Sequence, residues 1–375
     1  MHIITIVGAR PQFIKAATVS RAISARPGIT ETIIHTGQHF DAGMSDIFFA
    51  ELGIPEPDYH LDISGGGHGQ MTGAMLEKLE PLLQEICPDW VLVYGDTNST
   101  LSGALAAAKL HIPVAHVEAG LRSYNRRMPE EINRILTDQL SSLLFCPTET
   151  AVKNLHREGF PHQILTNNNY LIMDNHQPIT NNRQLITNVG DVMFDAALFY
   201  AQKAKSRSGI LAAYGLTAKG YVLATVHRAE NTDDPARLRA IMEGLDWAAA
   251  QMPMILPLHP RTKAAMEREN IQPQKIKLIN PVGYLDMVAL ETNAAVIATD
   301  SGGVQKEAYF HGVPCVTLRD ETEWTELVDA GWNRLAPPGS ADTKNAVLSA
   351  IGSEGEAVRP YGNGNAANTI LEQLL

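Results

Sequence analysis

The chain opens with Met1–Lys15, MHIITIVGARPQFIK, and this stretch decides the fold class. The apolar and β-branched run IITIV is typical of a strand that is buried on both faces of a sheet. The run stops at Gly8, and Pro11 is well suited to the first turn of a helix. A buried strand that leads directly into a helix predicts the first β–α step of a parallel sheet.

The same β–α step repeats along two parts of the chain. In the first part, helix-like stretches such as MSDIFFAEL (44–52) follow apolar runs, which read IITIV, ETIIHT, WVLVY, PVAHV and LLFC. After residue 220 the pattern starts again, with the runs YVLAT, MILPL, KIKLI, AAVIAT and CVTL. We therefore predict an α/β protein with two Rossmann-like domains in tandem.

The breaks in this pattern give the expected domain boundaries. We expect an N-terminal domain over 1–185 and a C-terminal domain over 186–358. The Asn-rich segment 161–188 has no sustained periodicity, which is typical of an exposed connector or insertion. The final stretch NAANTILEQLL predicts a short helix over 365–375.

Composition excludes several classes of function. The 375 residues carry a formal net charge of −11, which argues against nucleic acid as the main partner. No apolar run is long enough to span a membrane, and no leader pattern precedes the first strand, so we expect a cytoplasmic protein without a membrane partner. The cysteines Cys87, Cys146 and Cys315 have neither disulfide nor zinc spacing.

Polar and glycine residues follow the predicted strands at their carboxyl ends, where ligands bind in parallel α/β sheets. Any one of them could be a solvated loop residue or a helix cap. Together they indicate a polar cleft between two domains. In chain order, they are Gly8–Arg10, Gly95–Thr97, Glu118–Gly120 with Arg122, His227–Arg228, His259–Arg261, Asp300–Gly303 and Arg319–Asp320.

The strongest of these groups is Asp300–Gly303, DSGG, which opens a helix directly after an apolar strand. A helix N-terminus offers unpaired N–H groups to an anion, and glycines let the anion approach closely. We therefore favour phosphate binding by Ser301, Gly302 and Gly303 over a simple capped turn. Glu307, further along the same helix, could accept hydrogen bonds from a sugar diol.

Charged residues of both signs flank the N-terminal strands. Arg10 at the helix mouth and Lys15 one turn further could face a diphosphate. Asp96 and Glu118 end strands that we expect to be buried, where an unpaired carboxylate is costly. With Glu130, whose alternative role is a favourable charge at a helix start, they could supply an acid and a base.

The sequence lacks the motifs of several common cofactor sites. GARPQF is neither the dinucleotide fingerprint nor a P-loop, so nicotinamide and ATP chemistry are both disfavoured. The histidines are dispersed without metal-ligand spacing. His227 could donate to a leaving phosphate or act as an acid, although a single histidine is more often structural.

The ordered motifs resemble those of the non-hydrolysing UDP-N-acetylglucosamine 2-epimerase family over nearly the whole chain. The matching stretches are GARPQFIK, TGQHFD, YGDTNST, HVEAGLRS, PEEINR, TVHRAEN, LHPRT, TDSGGVQKEA and LRDETEW. The resemblance implies a glycosyltransferase-B architecture with the active site in the interdomain cleft. It also implies a last helix (365–375) that returns to the first domain, a homodimer, and no cofactor or metal.

For the reaction, the resemblance implies inversion at C2 of a UDP-linked 2-acetamido sugar. UDP would leave to give a 2-acetamidoglycal and then add back. The implied catalytic residues are Asp96, Glu118, Glu130 and His227, without an assignment of which carboxylate takes the C2 proton. The implied substrate contacts are Arg10, Lys15, Arg122, Arg134, Tyr284, Ser301, Gly302, Gly303 and Glu307.

Three departures from the commonest family pattern bear on the substrate. The chain has Gly-Ala-Arg-Pro-Gln in place of Gly-Thr-Arg-Pro-Glu, a shorter loop between Glu118 and Glu130, and Trp324-Thr325 in place of Arg-Pro. These variants look more like the branch that acts on UDP-2,3-diacetamido-glucuronate in lipopolysaccharide O-antigen synthesis. A uronate needs a basic partner, for which Arg122, Arg126 and Arg127 are candidates by location.

Other functions stay open at this point. A plain UDP-N-acetylglucosamine 2-epimerase is the nearest alternative. A glycosyltransferase would use the same UDP site without needing carboxylates at C2. A non-catalytic sensor would keep the phosphate-binding turn and dispense with Asp96, Glu118 and Glu130.

Overall fold

The computed structural model describes residues 1–38, 55–160 and 184–375. For Arg10 it describes the backbone only. The predicted helix over 44–52 and residues 161–183 of the predicted connector lie outside these ranges. Within them, the chain forms two compact units. One comprises Met1–Ala196 with Arg359–Leu375, and the other comprises Ala197–Val358.

The apolar runs of the first unit pair as a parallel sheet. In the described part of this unit, seven strands lie in the order β3-β2-β1-β4-β5-β6-β7. Nearly all residues of the central strands are buried, which explains why these strands show no polar alternation. The strands are β1 His2–Val7, β2 Thr30–His35, β3 Tyr59–His60, β4 Trp90–Tyr94, β5 Val114–Val117, β6 Leu143–Cys146 and β7 Leu185–Asn188.

Helices connect these strands and cover the sheet. Gly103 lets one of them approach closely, because a Cβ there would lie 2.8 Å from Ile6 Cδ1 and 3.2 Å from Val93 Cγ1. The helices are α1 Arg10–Ser24, α2 His68–Ile86, α3 Asn98–Lys109, α4 Pro129–Leu140 and α5 Glu149–Arg157. The helix α6, Val192–Arg207, contains the boundary between the two units.

The second unit repeats the first in its strand order. Its described residues form six parallel strands in the order β10-β9-β8-β11-β12-β13. The strands are β8 Val222–Thr225, β9 Met254–Pro257, β10 Lys277–Ile279, β11 Val296–Thr299, β12 Cys315–Thr317 and β13 Asn333–Leu335. The helices are α7 Ile210–Tyr214, α8 Ala229–Thr232, α9 Pro235–Ala249, α10 Pro260–Arg268, α11 Tyr284–Asn293, α12 Gly302–Phe310, α13 Thr325–Asp329 and α14 Ser340–Ala350.

The last helix, α15 Ala366–Leu374, belongs to the first unit and packs against α1. Its first N–H groups, at Ala366 and Ala367, donate to the carboxylate of Asp195 at 3.1 and 2.8 Å. Burial is the largest influence on Asp195 and raises its pKa, although these two hydrogen bonds oppose the shift. The stretch NAANTILEQLL therefore forms an amphipathic helix that packs against α1 and is capped by Asp195.

The two parallel sheets confirm the prediction of two Rossmann-like α/β domains. The stretch ETEWTELVDAG (321–331), which follows the run CVTL, forms only a short helix, because α13 spans Thr325–Asp329. The chain before it makes side-chain contacts instead, including a hydrogen bond from Thr322 to Gln305 at 2.6 Å. None of the helices in the described ranges is long and apolar enough to cross a membrane.

Candidate active site

Both units have the same topological switch point, and each carries predicted site residues. In the first sheet, β1 and β4 are neighbours whose following connections run to opposite sides. Gly8–Arg10 follows β1, and Gly95–Asp96 follows β4. In the second sheet, β8 and β11 are the equivalent neighbours, followed by His227–Arg228 and Asp300–Gly303. Ligands of open parallel sheets bind at this position.

Lys15 and Glu118 form an ion pair in the first unit. Lys15 Nζ donates to a carboxylate oxygen of Glu118, and each side chain is 11% exposed. Glu118 has a φ of +74°, a left-handed conformation that costs a residue with a side chain on the order of 1–3 kcal/mol. The fold thus holds this carboxylate at the end of β5 in a strained backbone position.

Gly95 provides the space for that pair. Its φ is +63°, and a Cβ there would lie 3.3 Å from Glu118 Oε2 and 3.5 Å from Lys15 Nζ. A side chain at this position would press on both charged groups. The glycine at the end of β4 therefore leaves room for the carboxylate of the neighbouring strand beside the residue that precedes Asp96.

Asp96 pairs with Arg134 on α4. Arg134 donates to Asp96 Oδ2 from Nε at 3.0 Å and from Nη2 at 2.7 Å. Asn133, the preceding residue, donates from Nδ2 to the Asp96 carbonyl oxygen at 2.9 Å. The sequence predicted an array of carboxylates acting on one another, whereas the structure places a cation against Asp96 and another against Glu118.

Glu131, which the sequence analysis did not single out, contacts the same arginine that pairs with Asp96. Its carboxylate accepts backbone N–H groups from Ser123 and Tyr124, both at 2.9 Å, and Arg134 Nη1 at 2.8 Å. Burial acts to raise the pKa of Glu131, but these hydrogen bonds outweigh it and lower the pKa. The helical spacing of three residues between Glu131 and Arg134 was the available signal.

Glu130, the neighbouring carboxylate, is exposed in the first turn of α4. The helix thus presents its two adjacent acidic residues differently: Glu131 holds the loop before the helix, and Glu130 faces outward. Glu130 stays a predicted catalytic residue.

Arg122, a predicted substrate contact, has a guanidinium that is only 1% exposed and is paired with carboxylates of the same unit. It contacts Asp138 Oδ2 at 2.7 Å and Glu158 at 2.7 and 2.8 Å, and it donates to the Leu121 carbonyl oxygen at 2.8 Å. A substrate contact at Arg122 stays a prediction, and among the candidates for a uronate the exposed ones are Arg126 and Arg127.

Gln12 explains one departure from the family pattern. Its Oε1 accepts the N–H groups of Gly8 and Ala9 at 2.8 and 3.0 Å. Its Nε2 donates to the Tyr94 carbonyl oxygen at 2.7 Å and to Thr100 Oγ1 at 2.9 Å. A glutamate could not make both of these donations, so Gln12 ties the end of β1 to the end of β4 as an amide.

In the second unit, Asp300 fastens the ends of two neighbouring strands together. It is fully buried, and it accepts the backbone N–H groups of His227 at 3.0 Å and Arg228 at 2.9 Å. Asn231 Nδ2 also donates to it at 3.1 Å. The first residue of DSGG is thus an anchor that fixes the backbone of His227.

His227 itself is partly exposed, with 36% of its side chain accessible. Its ring centroid lies 5.4 Å from that of His259. Burial lowers the pKa of His227, with smaller effects in the same direction from His259, Arg228 and Arg261, while Asp300 opposes them. The imidazole is consequently neutral at neutral pH, with one N–H available as a hydrogen-bond donor.

Ser301, Gly302 and Gly303 form the start of α12. Ser301 caps the helix by accepting the Val304 N–H at 3.5 Å, and Gly303 is exposed. A Cβ on Gly303 would have only Ser301 Oγ near it, at 3.9 Å. Glu307 lies half-buried on the same helix. Burial raises the pKa of Glu291, and the charge of Glu307 raises it by a smaller amount.

Trp324 packs beside this turn. Its Nε1 donates to the Gly302 carbonyl oxygen at 2.9 Å, and Lys306 Nζ lies 4.4 Å from the centre of its ring. The expected arginine is absent at position 324, but the chain carries a lysine over the indole that replaces it. Tyr284 is 6% exposed, with its ring edge-on to Tyr200 at 5.1 Å.

Comparison with known proteins identifies close relatives along the full chain. The family model for UDP-N-acetylglucosamine 2-epimerase matches residues 21–375. The UDP-2,3-diacetamido-2,3-dideoxy-D-glucuronate 2-epimerase of Pseudomonas aeruginosa is 53% identical, over 100% of this chain and 99% of that protein. The crystal structure of Methanocaldococcus jannaschii UDP-GlcNAc 2-epimerase in complex with UDP-GlcNAc and UDP is 42% identical, with a TM-score of 0.83 and coverage of 100% and 99%. The Neisseria meningitidis enzyme bound to UDP-GlcNAc is 30% identical, with the same TM-score and coverage.

Proposed function

We propose that this chain, which belongs to the UDP-N-acetylglucosamine 2-epimerase family, inverts the configuration at C2 of a UDP-linked 2-acetamido sugar. The proposed reaction removes the C2 proton while UDP leaves C1, which gives a 2-acetamidoglycal. UDP then adds back, and a proton returns to the opposite face of C2. Every bond that breaks in the first half forms again in the second, so no other reactant is consumed.

The observation that carries this proposal is the pair of ion-paired carboxylates, Asp96 and Glu118, on neighbouring strand ends. A C2 proton is weakly acidic, so a positioned base must remove it, and an acid must return a proton to the other face. Two carboxyl groups next to Gly95 can serve these roles. Lys15 and Arg134 hold them in place.

We assign the UDP half of the substrate to the second unit. Gly302 and Gly303 offer backbone N–H groups at the start of α12, where an anion is favoured, and Ser301 offers its hydroxyl, since its own N–H donates to Thr299 Oγ1 at 2.9 Å. His227 can donate its N–H to a phosphate oxygen of the leaving UDP. Glu307 is assigned to the ribose diol and Arg10 to the diphosphate, while Lys15, which is paired with Glu118 in this structure, stays a predicted diphosphate contact.

We infer that the preferred substrate is UDP-2,3-diacetamido-glucuronate, with UDP-N-acetylglucosamine as the alternative. The Pseudomonas aeruginosa relative that carries the former name is 53% identical, whereas the Methanocaldococcus jannaschii relative named for the latter is 42% identical. A uronate carries an additional negative charge, and the exposed Arg126 and Arg127 could meet it. A role in O-antigen synthesis and a homodimeric state belong to the same proposal.

The test is incubation with each sugar nucleotide in deuterated water, followed by NMR of C2. We expect deuterium at C2 and a manno product, with a higher kcat/KM for the diacetamido-uronate. Exchange with UDP-N-acetylglucosamine alone would contradict the substrate assignment. Absence of exchange with both substrates would contradict the proposed epimerisation.

Variants of the carboxylates sharpen this test. Asp96→Asn and Glu118→Gln each remove a proton-transfer group, so we expect kcat to fall by at least about 100-fold. Glu149→Gln is the matched control, because Glu149 is an exposed carboxylate in the first turn of α5 and should leave kcat unchanged. Normal turnover in Asp96→Asn would exclude Asp96 from the chemistry.

A further inference from the structure

His116, on β5, occupies a fully buried position with hydrogen-bond partners on both ring nitrogens. Its Nε2 lies 2.7 Å from the carbonyl oxygen of Gly95, and its Nδ1 lies 2.7 Å from Asp138 Oδ1. Both side chains of the His116–Asp138 pair have no exposed surface. Neither residue was singled out from the sequence.

The chemistry of these partners fixes the role of the ring. A carbonyl oxygen only accepts hydrogen bonds, so Nε2 must carry a hydrogen and donate it to Gly95. The other oxygen of Asp138 accepts the Arg122 guanidinium at 2.7 Å and the Gly120 N–H at 3.2 Å, which favours an ionised carboxylate. The hydrogen bond between Nδ1 and Oδ1 of that carboxylate completes a link from Gly95 through the ring to Asp138.

These contacts join the two turns that carry the reactive carboxylates. Gly95, whose carbonyl oxygen receives the ring, directly precedes Asp96. Gly120, whose N–H donates to Asp138, lies two residues after Glu118. Both glycines have positive φ, +63° and +77°, so both turns depart from regular strand geometry.

We propose that His116 and Asp138 are positioning residues that hold the turn before Asp96 and the turn after Glu118 at a fixed position relative to each other. They act through the backbone and do not touch the substrate. This inference rests on the proposed function, since it concerns the placement of the two carboxylates. It adds a role for two buried residues that stability alone does not require.

The stability argument supports this reading. Buried ionised groups are often neutral or unfavourable relative to apolar residues of similar size. The other β5 side chains, at Val114, Ala115 and Val117, are apolar and fully buried. An apolar residue at position 116 would match its neighbours on β5, but it would leave the Gly95 carbonyl without this donor and Asp138 without one of its partners.

Two amide variants separate the positioning role from a merely structural one. In His116→Gln the side-chain amide reaches the place of Nε2 and keeps a donor for Gly95, while the contact to Asp138 is lost. In His116→Asn the amide takes the place of Nδ1 and keeps the Asp138 contact, while Gly95 loses its donor. Each variant therefore breaks one link of the same pair.

We expect His116→Gln to keep kcat within about tenfold of the unsubstituted enzyme and His116→Asn to lose at least about 100-fold. KM should stay within about threefold in both, because the nucleotide is assigned to the second unit. Melting temperatures should fall by similar amounts, so that stability does not explain the difference in kcat. Deuterium exchange at C2 is the readout.

A further variant guards against misfolding. In Asp138→Asn, the side-chain NH₂ can donate to His116 Nδ1, and the side-chain oxygen can accept from Arg122 and from the Gly120 N–H. All three hydrogen bonds can therefore form without the negative charge. We expect it to keep kcat within about tenfold. If His116→Gln and His116→Asn lose equal kcat, or if Asp138→Asn folds but loses as much as His116→Asn, the positioning role is wrong. An unsubstituted enzyme without C2 exchange would instead contradict the proposed function.

Discussion

Gly303 is a residue at which folding and the proposed binding make opposite demands. A Cβ there would meet only Ser301 Oγ at 3.9 Å, and the residue is exposed at the start of α12. The protein without ligand should therefore accept alanine, which also favours a helix more than glycine does. A diphosphate bound against this turn should not accept it, because the methyl group would occupy its space.

For Gly303→Ala we expect an unchanged or higher melting temperature together with at least about tenfold weaker binding of UDP by calorimetry. Gly209→Ala is the control in the same unit, because a Cβ at Gly209 meets nothing within 4 Å and its φ is −102°. The control should change neither property. Unaltered UDP affinity in Gly303→Ala would exclude this turn as the phosphate site.

Single residues also show where sequence reasoning reaches its limit. The neighbouring positions of Asp96 and Glu118 could be predicted from the sequence, because the carboxyl ends of parallel strands lie at one edge of the sheet. Arg122 also follows a strand end, yet its guanidinium turns inward to Asp138 and Glu158. The difference lies in tertiary ion pairs with residues on other elements, and strand-end position carries no information about those partners.

At the scale of elements, the chain before α13 is attached to the start of α12 through Trp324. Its indole N–H donates to the Gly302 carbonyl oxygen, and its ring lies against the Lys306 amine. These are separable contributions, since phenylalanine keeps an aromatic face but has no donor. A neutral hydrogen bond contributes about 1 kcal/mol, and a cation–π contact contributes about 0.5–1 kcal/mol.

Trp324→Phe should therefore lower the free energy of unfolding by about 1 kcal/mol, and Trp324→Leu by a further 0.5–1 kcal/mol or so. Urea unfolding followed by far-UV circular dichroism measures both without using tryptophan emission. Equal losses in the two variants would mean that Lys306 gains nothing from the aromatic face.

Periodicity predicted the strands that are buried on both faces and some of the helices, but the long helices α2, His68–Ile86, and α6, Val192–Arg207, were not predicted. The stretch YLDMVALETN became α11, Tyr284–Asn293, and PEEINRILTDQL became α4, Pro129–Leu140. The strands β3, β7 and β13 were not predicted. They lie at the sheet edges, are only partly buried, and lack the continuous apolar run that marked the central strands.

At the scale of the whole molecule, buried histidines should make stability depend on pH. Burial lowers the pKa of His311 to about 4, with a smaller effect from Lys219, and burial likewise lowers the pKa of His35 to about 4. In the unfolded chain a histidine titrates near 6.5, so the unfolded state binds more protons between these values. The stabilisation is therefore complete above about pH 6.5 and is lost as the pH falls to about 4.

His311→Leu isolates this effect, because raised carboxyl pKa values at Glu31, Asp195 and Glu291 act in the opposite direction over part of the same range. Relative to this variant, the unsubstituted protein should lose on the order of 3 kcal/mol between pH 7 and pH 4. Urea unfolding by tryptophan emission suits the measurement, since Trp247, Trp324 and Trp332 all lie in the second unit. A difference that does not vary with pH would contradict the prediction.

The family resemblance is confirmed over the full chain, and the two sheets were predictable from alternation alone. The buried polar pairs were not. His116 with Asp138, and Glu131 with Arg134, are brought together by the packing of α4 beside β5, and periodicity does not specify which buried polar groups meet.

The return of the last helix to the first unit has a consequence for synthesis on the ribosome. Ala197–Val358 must be translated between the two parts of that unit. At typical translation speeds this takes roughly ten to thirty seconds. During that time the surface of α1 that α15 later covers is bare, and Asp195 has no amides to accept. A nascent chain of this protein should therefore attract chaperones until its final residues emerge, and premature termination should leave a product that proteases remove.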